Sequence, residues 1–268
     1  IVSRADDVIQ SKQKEVTEEF YQEYIQLVFG VVDGEETKRS LVRGGVDIPE
    51  DVETRFEDPV RLFSVSLMNR LIFIRFLEDT GVVDENFLNT LRREHGESSH
   101  FDDFHTVYLH PLFYEVFSKK KADREGRART VDVLREIPFL NGDLFRPVLS
   151  RGIDLEESDL SLEDPIEMER RFDVSDSVLS DIIDLLEEYE FTTDGGVGAL
   201  EDQEVEALDP SVLGNVFEKT INYLAGEAGK QRDLGAFYTP DAITSFCAEA
   251  TIRPILIDDM KQCLLHRG

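Results

Sequence analysis

Apolar residues recur at helical spacing along most of this chain, and one stretch is apolar almost all round. Between Asp58 and Asp79 stand Leu62, Phe63, Leu67, Met68, Leu71, Ile72, Phe73, Ile74, Phe76 and Leu77. Asp58-Pro59 has the form of a helix start, a capping acid followed by a first-turn proline. Gly81 supplies the stop. A helix without a polar face must be enclosed by others, so this segment is expected to be the central core helix. Ahead of it, Val16 to Val32 reads as an amphipathic helix, capped by Thr17 and carrying Phe20, Tyr21, Tyr24, Ile25, Leu27 and Val28. Residues 33–57 are polar and glycine-bearing and read as a loop. Val82 to Arg93 predicts a short following helix.

Residues 101–118 again show helical spacing, through Phe104, Tyr108, Leu112, Phe113, Val116 and Phe117, with Pro111 expected to interrupt it. Residues 119–130 are basic. Ile137 to Leu144 predicts a loop or a short strand pair, and 150–172 an acidic, irregular stretch. Ser175 opens a helix through Val178, Ile182, Leu186 and Tyr189. Gly195, Gly196 and Gly198, with the acids running to Glu206, predict a hinge. Asp209-Pro210 starts a helix with a clean stripe of Leu213, Val216, Phe217, Ile221 and Leu224, closed by Gly226 and Gly229. Thr239 and Pro240 cap and open another, with Ile243, Phe246, Cys247 and Ala250 on its face. Pro254 is expected to kink or break the last helix. No internal repeat is evident and strand signals are few, so the fold class is mainly α.

Composition narrows the class. At 268 residues the chain suits one or two domains, and 41% hydrophobic residues can build a core. No apolar run approaches the roughly eighteen residues of a membrane span. No secretory signal stands at the start. The first residue is Ile1, which suggests a piece of something longer. Two cysteines, Cys247 and Cys263, fit a reducing cytoplasm, and their spacing is not a zinc pattern.

Charge is the least ordinary property. The net formal charge is -28, from 57 acidic and 29 basic side chains. The basic ones divide into 9 Lys and 20 Arg. An acidic tail would concentrate the charge, but here it is dispersed. A nucleic-acid mimic and an adaptation to high salt both fit; scarce lysine favours the second. Against this background Lys119, Lys120, Lys121, Arg124, Arg127 and Arg129 form a cluster able to grip DNA phosphates. Asp123 and Glu125 interrupt it, so a solvated loop of mixed charge is the competing reading. Arg70 and Arg75, in the core helix, are expected to pair with local acids.

His95, His100, His105 and His110 recur every five residues, a step of about 140° on a helix. That does not build a metal face, and surface or loop positions are expected. Asp33 with Glu36-Thr37-Lys38 is a loose match to a metal-dependent nuclease element, of a kind an acidic chain produces by chance.

Four stretches carry a resemblance. Gly235-Ala236-Phe237-Tyr238-Thr239-Pro240 is similar to the motif opening the catalytic domain of adenine-specific DNA methyltransferases, most of all the large single-chain restriction–modification (type IIG-like) kind. Leu208 to Glu218 resembles the helix before that motif. Asn69 to Glu78 and Pro138 to Phe145 match further upstream, in the expected order. The resemblance implies methyl transfer from S-adenosylmethionine to an adenine flipped out of double-stranded DNA. It implies that Phe237, Tyr238, Thr239 and Pro240 line the cofactor pocket, with Gly235 admitting the backbone. Thr239 would hold the cofactor carboxylate at the helix start. It further implies a helical connector, residues 1–205, followed by the N-terminal helices of a truncated α/β methyltransferase domain, 206–268. The family's glycine-rich cofactor loop and its Asn-Pro-Pro-Tyr signature are not in these 268 residues. The chain alone is therefore expected to be inactive, and Mg2+ is expected only with a fused nuclease. The rival from another class is a non-enzymatic acidic helical protein that binds a partner or imitates DNA.

Overall fold

The computed structural model describes residues 2–32, 35–36, 39–56, 58–97, 103–140, 142–151, 164–191, 206–208, 214, 220, 246–247 and 249–254. The chain divides into two compact units, Ile1–Leu208 and Asp209–Gly268. It is mainly helical, with a few very short strands.

In chain order the first unit holds α1 (Val2–Phe29), β1 (Val31–Val32), β2 (Glu35–Glu36), β3 (Val46–Asp47) and α2 (Glu50–Glu53). Then come α3 (Pro59–Asp79), α4 (Phe87–Glu97) and a π-widened helix spanning residues 104–116. Short helices follow, α5 (Arg127–Thr130), α6 (Asp132–Arg135) and α7 (Pro165–Arg170). The unit closes with β4 (Asp173–Val174), α8 (Asp176–Glu187), β5 (Tyr189–Phe191) and β6 (Glu206–Leu208).

The enclosed helix is where its pattern puts it. α3 runs Pro59–Asp79, stops ahead of Gly81, and packs against α1, α2, α4 and α8. Phe63, Leu67, Met68, Leu71, Ile72 and Ile74 have no exposed surface. Each such side chain contributes about 1.5–3 kcal/mol relative to an exposed position. Leu62, 47% exposed, is where the apolar surround fails. The expected side-chain cap at Asp58 is not made. Asp58 is left-handed (φ 51°) and its carboxylate pairs with Arg61 at 3.2 Å instead.

Several boundaries move. α1 begins at Val2, well before the expected Val16, because its first half lacks the apolar stripe that periodicity detects. The expected loop at 33–57 contains β2, β3 and α2. β1 and β2 form an antiparallel hairpin, and Val46 of β3 pairs with Val174 of β4 across more than a hundred residues. Gly45 makes that pairing possible. A Cβ there would lie 2.4 Å from the Ser40 carbonyl oxygen, while its own carbonyl accepts from the Ser175 amide. The helix after α3 starts at Phe87, with turns before it. α8 starts after Ser175 as predicted; residues 137–140 form neither helix nor strand and Asp143–Phe145 is a short 3-10 turn, so no strand pair forms among the described residues there.

Pro111 does not interrupt its helix. Residues 105–109 and 112–116 are π-helical, and Pro111 itself holds helical angles (φ -60°, ψ -37°). The His110 amide donates to the His105 carbonyl and the Phe117 amide to that of Leu112, five residues back in each case. A wider turn moves the preceding carbonyls off the proline ring, so the residue that would break an α-helix is accommodated.

Of the second unit, residues 246–247 and 249–254 are helical and exposed. The Thr251 hydroxyl donates to the Cys247 carbonyl at 2.6 Å. Pro254 is the last described residue of that helical run. The hinge at 195–206 falls almost wholly outside the described residues. So do the helix stripe at 213–224, except for residues 214 and 220, and the stretch 235–240.

Candidate functional site

The first unit is organised around a buried polar cluster on three elements. Arg70 of α3 and Glu169 of α7 are fully buried, and Tyr114 of the π-widened helix nearly so. The Arg70 guanidinium donates to the Tyr114 hydroxyl (2.8 Å) and to the carbonyls of Leu144 (3.0 Å) and Arg146 (2.7 Å). The Tyr114 hydroxyl donates onward to the Glu169 carboxylate. Glu169 also accepts from the Leu149 amide at 3.0 Å. Burial raises the proton affinity of both Tyr114 and Glu169, and Arg70 opposes it. A tyrosine hydroxyl is thus interposed in a buried ion pair, and its donors and acceptors are all used.

That cluster brings two resemblance-bearing stretches together. Arg70 belongs to Asn69–Glu78 and Leu144 to Pro138–Phe145. Phe145 meets Phe73, Phe113 and Phe117, at ring separations of 5.9, 5.9 and 4.5 Å. In the first unit these stretches serve architecture: one supplies a guanidinium, the other, at Leu144, one of the carbonyls that satisfy it. The expectation that Arg70 pairs with a local acid is corrected here, since its direct partners are a hydroxyl and carbonyls. Arg75 does pair locally, with Glu78 (3.1 Å) and Asp79 (2.5 Å).

Beside the cluster lies a cavity of about 380 Å3 between the π-widened helix, the Glu125–Arg127 turn and α7. His110, Arg127 and Arg170 line it together with Glu115, Glu125 and Glu167. His110 is buried and contacts the Ile166 carbonyl through Nε2 at 3.0 Å. Burial depresses its basicity, the contact with that carbonyl opposes this, and the balance leaves it lowered. His105 is fully buried, its ring nitrogens have no hydrogen-bond partner among the described residues, and burial pushes its pKa down to about 3. The surface position expected for these two histidines is therefore wrong. His95 is half-buried at α4, against the rings of Phe104 and Tyr108, and His100 lies outside the described residues. Among the described residues no group of three or more His, Cys, Asp or Glu could hold a metal ion.

The basic cluster is more structural than its sequence suggests. Arg124 is almost fully buried. Its guanidinium donates to the carbonyls of Val116 (3.0 Å), Lys119 (3.3 Å), Arg135 (3.1 Å) and Ile137 (2.8 Å), clasping the ends of the basic loop together. It is not placed to meet a phosphate, a correction to its expected role. Lys119 is paired with Glu115 (2.6 Å) and Lys121 with Glu136 (3.1 Å). Lys120 and Arg129 are exposed and make no ion pair among the described residues; Arg127 lines the cavity. Tyr114, Glu169 and the clasp escaped sequence reasoning. Tyr114 sits in an apolar run and Glu169 among many acids, so neither stands out. The positions expected to line a cofactor pocket, Gly235, Phe237, Tyr238, Thr239 and Pro240, and the nuclease match at Asp33, Glu36 and Lys38, have no described side-chain geometry.

With this geometry in view, similarity to known proteins adds one informative match. The chain is 36% identical, over 270 residues, to a protein of Methanocaldococcus jannaschii that carries the provisional name of a type II restriction enzyme and methyltransferase. The match takes in 96% of this chain but only 21% of that protein, so the chain spans about a fifth of its relative's length. No family model matches the chain, and no solved structure does. Among the described residues no helix is long and apolar enough to cross a membrane.

Proposed function

We propose that this chain is the helical connector and the opening of the methyltransferase domain of a restriction–modification enzyme. The parent protein transfers a methyl group from S-adenosylmethionine to the exocyclic amine of an adenine in double-stranded DNA. The observation that carries this reading is the match along nearly the whole chain to a protein named for restriction and methylation. The ordered motif stretches, including Gly235 to Pro240, supply the preference for adenine. In this reading Phe237, Tyr238, Thr239 and Pro240 stand beside the cofactor, and Lys120, Arg127 and Arg129 face DNA. Lys119 and Lys121 would contribute only by leaving their carboxylates. A restriction activity would bring Mg2+, held by residues other than those described.

The test is methyl transfer by the full-length protein that contains this chain. It is incubated with methyl-labelled S-adenosylmethionine and DNA, and the nucleosides are separated after digestion. Label in N6-methyladenine is expected with the full-length protein, and none with the 268-residue chain alone. Label in cytosine overturns the adenine assignment. No label at all, on DNA of varied sequence, overturns methyl transfer.

A further inference from the structure

The cavity beside the buried cluster is built as a binding site is. At about 380 Å3 it falls in the range of small-molecule pockets. One wall is the π-widened helix; the others are the Glu125–Arg127 turn and α7. Turns of π geometry are frequent at functional sites. His110 lines the cavity and is only 7% exposed. Its Nε2 meets the Ile166 carbonyl, which can only accept, so that nitrogen carries the proton. Burial lowers the basicity of the ring, and Nδ1 therefore presents a lone pair. Nδ1 has no hydrogen-bond partner among the described residues, and unlike the His105 nitrogens it is not sealed from solvent. A ligand in the cavity meets a fixed acceptor.

The remaining polar lining divides into donors and acceptors. Arg127 and Arg170 supply two guanidinium groups. Glu125 and Glu167 supply two carboxylates. Glu125 makes no ion pair among the described residues. Glu167 reaches Arg170 only at 3.7 Å, with both side chains more than half exposed. Glu115 is already engaged, since its oxygens accept from Lys119 Nζ (2.6 Å) and from the Glu125 amide (3.1 Å). Val107, Pro111 and Ile166 add apolar surface. The two guanidinium groups and the two carboxylates balance in charge, so a simple anion gains little here. A ligand that suits the lining has apolar faces, N–H donors on one edge and an acidic group apart from them. A nucleotide has all three: a base is read by hydrogen bonds to its edge and by apolar contact on its faces.

We propose that this cavity holds one nucleotide whose base bears an exocyclic amine. The base lies against Val107, Pro111 and Ile166, its amine donates to His110 Nδ1 and the carboxylates, and its phosphate meets Arg127 and Arg170. Thymine suits the site poorly, because it has no amine and its carbonyls would face the carboxylates. A free nucleotide and an unpaired nucleotide of a DNA strand offer the same chemistry. Only the second source rests on the reading of the parent protein as an enzyme of DNA.

The test is nucleotide binding by the whole chain, followed by calorimetry and by the imidazole nitrogen resonances of His110. dAMP is expected to shift the Nδ1 resonance, and dTMP to bind about tenfold more weakly. Glu125 and Arg170 are exposed, so Glu125→Ala and Arg170→Ala should each keep the thermal midpoint. Each should weaken dAMP binding about tenfold, the loss expected for one hydrogen bond to a charged group. A single-stranded oligonucleotide that displaces dAMP where a fully paired duplex does not assigns the site to DNA. An oligonucleotide that fails to displace it leaves the free nucleotide as ligand, and either result supports the pocket. No shift of Nδ1 at millimolar dAMP overturns it. So does an affinity unchanged in both variants, or dTMP or inorganic phosphate binding as tightly as dAMP. Methyl transfer by the full-length protein is measured separately, so an empty pocket leaves that activity standing and its absence leaves nucleotide binding to be seen.

Discussion

Arg70 and Tyr114 are joined by a 2.8 Å hydrogen bond in which the guanidinium donates and the phenolic hydroxyl accepts. That hydroxyl is then the sole bridge from α3 to the Glu169 carboxylate among the contacts described. Tyr114→Phe keeps the ring and its packing but deprives a buried cation of one partner and a buried anion of another. Stranding buried groups costs more than the net worth of their bond. The expected loss is about 3 kcal/mol in urea unfolding. A loss below about 1 kcal/mol, the scale of an ordinary hydrogen bond, would show that Arg70 and Glu169 satisfy each other without it.

Arg124 and its neighbours in the basic loop should separate by phenotype. Arg124→Gln removes the clasp on four carbonyls, so it should lower stability and disturb the loop. Lys120→Gln and Arg129→Gln should leave stability within about 0.5 kcal/mol, as exposed substitutions do. If the loop faces DNA, each lost phosphate contact should flatten the log–log salt dependence of binding by roughly 0.9. Fluorescence-anisotropy titrations at several salt concentrations give that slope. An unchanged slope in the double variant would remove Lys120 and Arg129 from the DNA interface.

Gly45 offers a purely steric test. A methyl group there would stand 2.4 Å from the Ser40 carbonyl oxygen and 2.9 Å from Leu41 Cα, both backbone atoms that cannot swing away. Gly45→Ala should therefore cost at least about 2 kcal/mol, the range for overpacking and backbone strain. Thermal unfolding measures it. A stabilised variant would mean that the Ser40–Gly44 turn shifts freely.

The fold was legible where a residue's own surroundings in the sequence decide its structure. α3 and the start of α8 follow from the apolar pattern and the residues that flank it, because burial acts over a few turns, although neither Asp58 nor Ser175 makes a side-chain cap. Pro111 was misread because its effect depends on the turn it occupies, and a π turn has no simple sequence signature. Arg70, Arg124 and Glu169 were invisible as a group of buried charges. Each looks like any other charge in a chain with 57 acids, and its partners lie tens of residues away or are backbone carbonyls. The residues with the most informative motif, Gly235 to Pro240, belong to a unit described only at residues 214, 220, 246–247 and 249–254. Their assignment to a cofactor therefore rests on resemblance.

His105 gives the clearest dependence on acid. Its pKa falls to about 3, first through burial, then through His110 and Arg70. The folded state keeps it neutral, while the unfolded chain takes up a proton near pH 6.5. Its contribution is therefore complete above about pH 6.5 and is lost progressively as the pH falls toward 3. Among the described residues the ring also leaves both nitrogens without partners while packing edge-on against Phe63 at 5.5 Å. Replacing an unsatisfied polar side chain by an apolar one of similar size is neutral or stabilising. His105→Leu should thus match or exceed the wild type in urea unfolding at pH 7.5. Its stability should also decline less between pH 6.5 and 4.5. A variant that loses stability at pH 7.5 and keeps the full acid dependence would mean that the imidazole nitrogens are satisfied and that the acid sensitivity arises elsewhere.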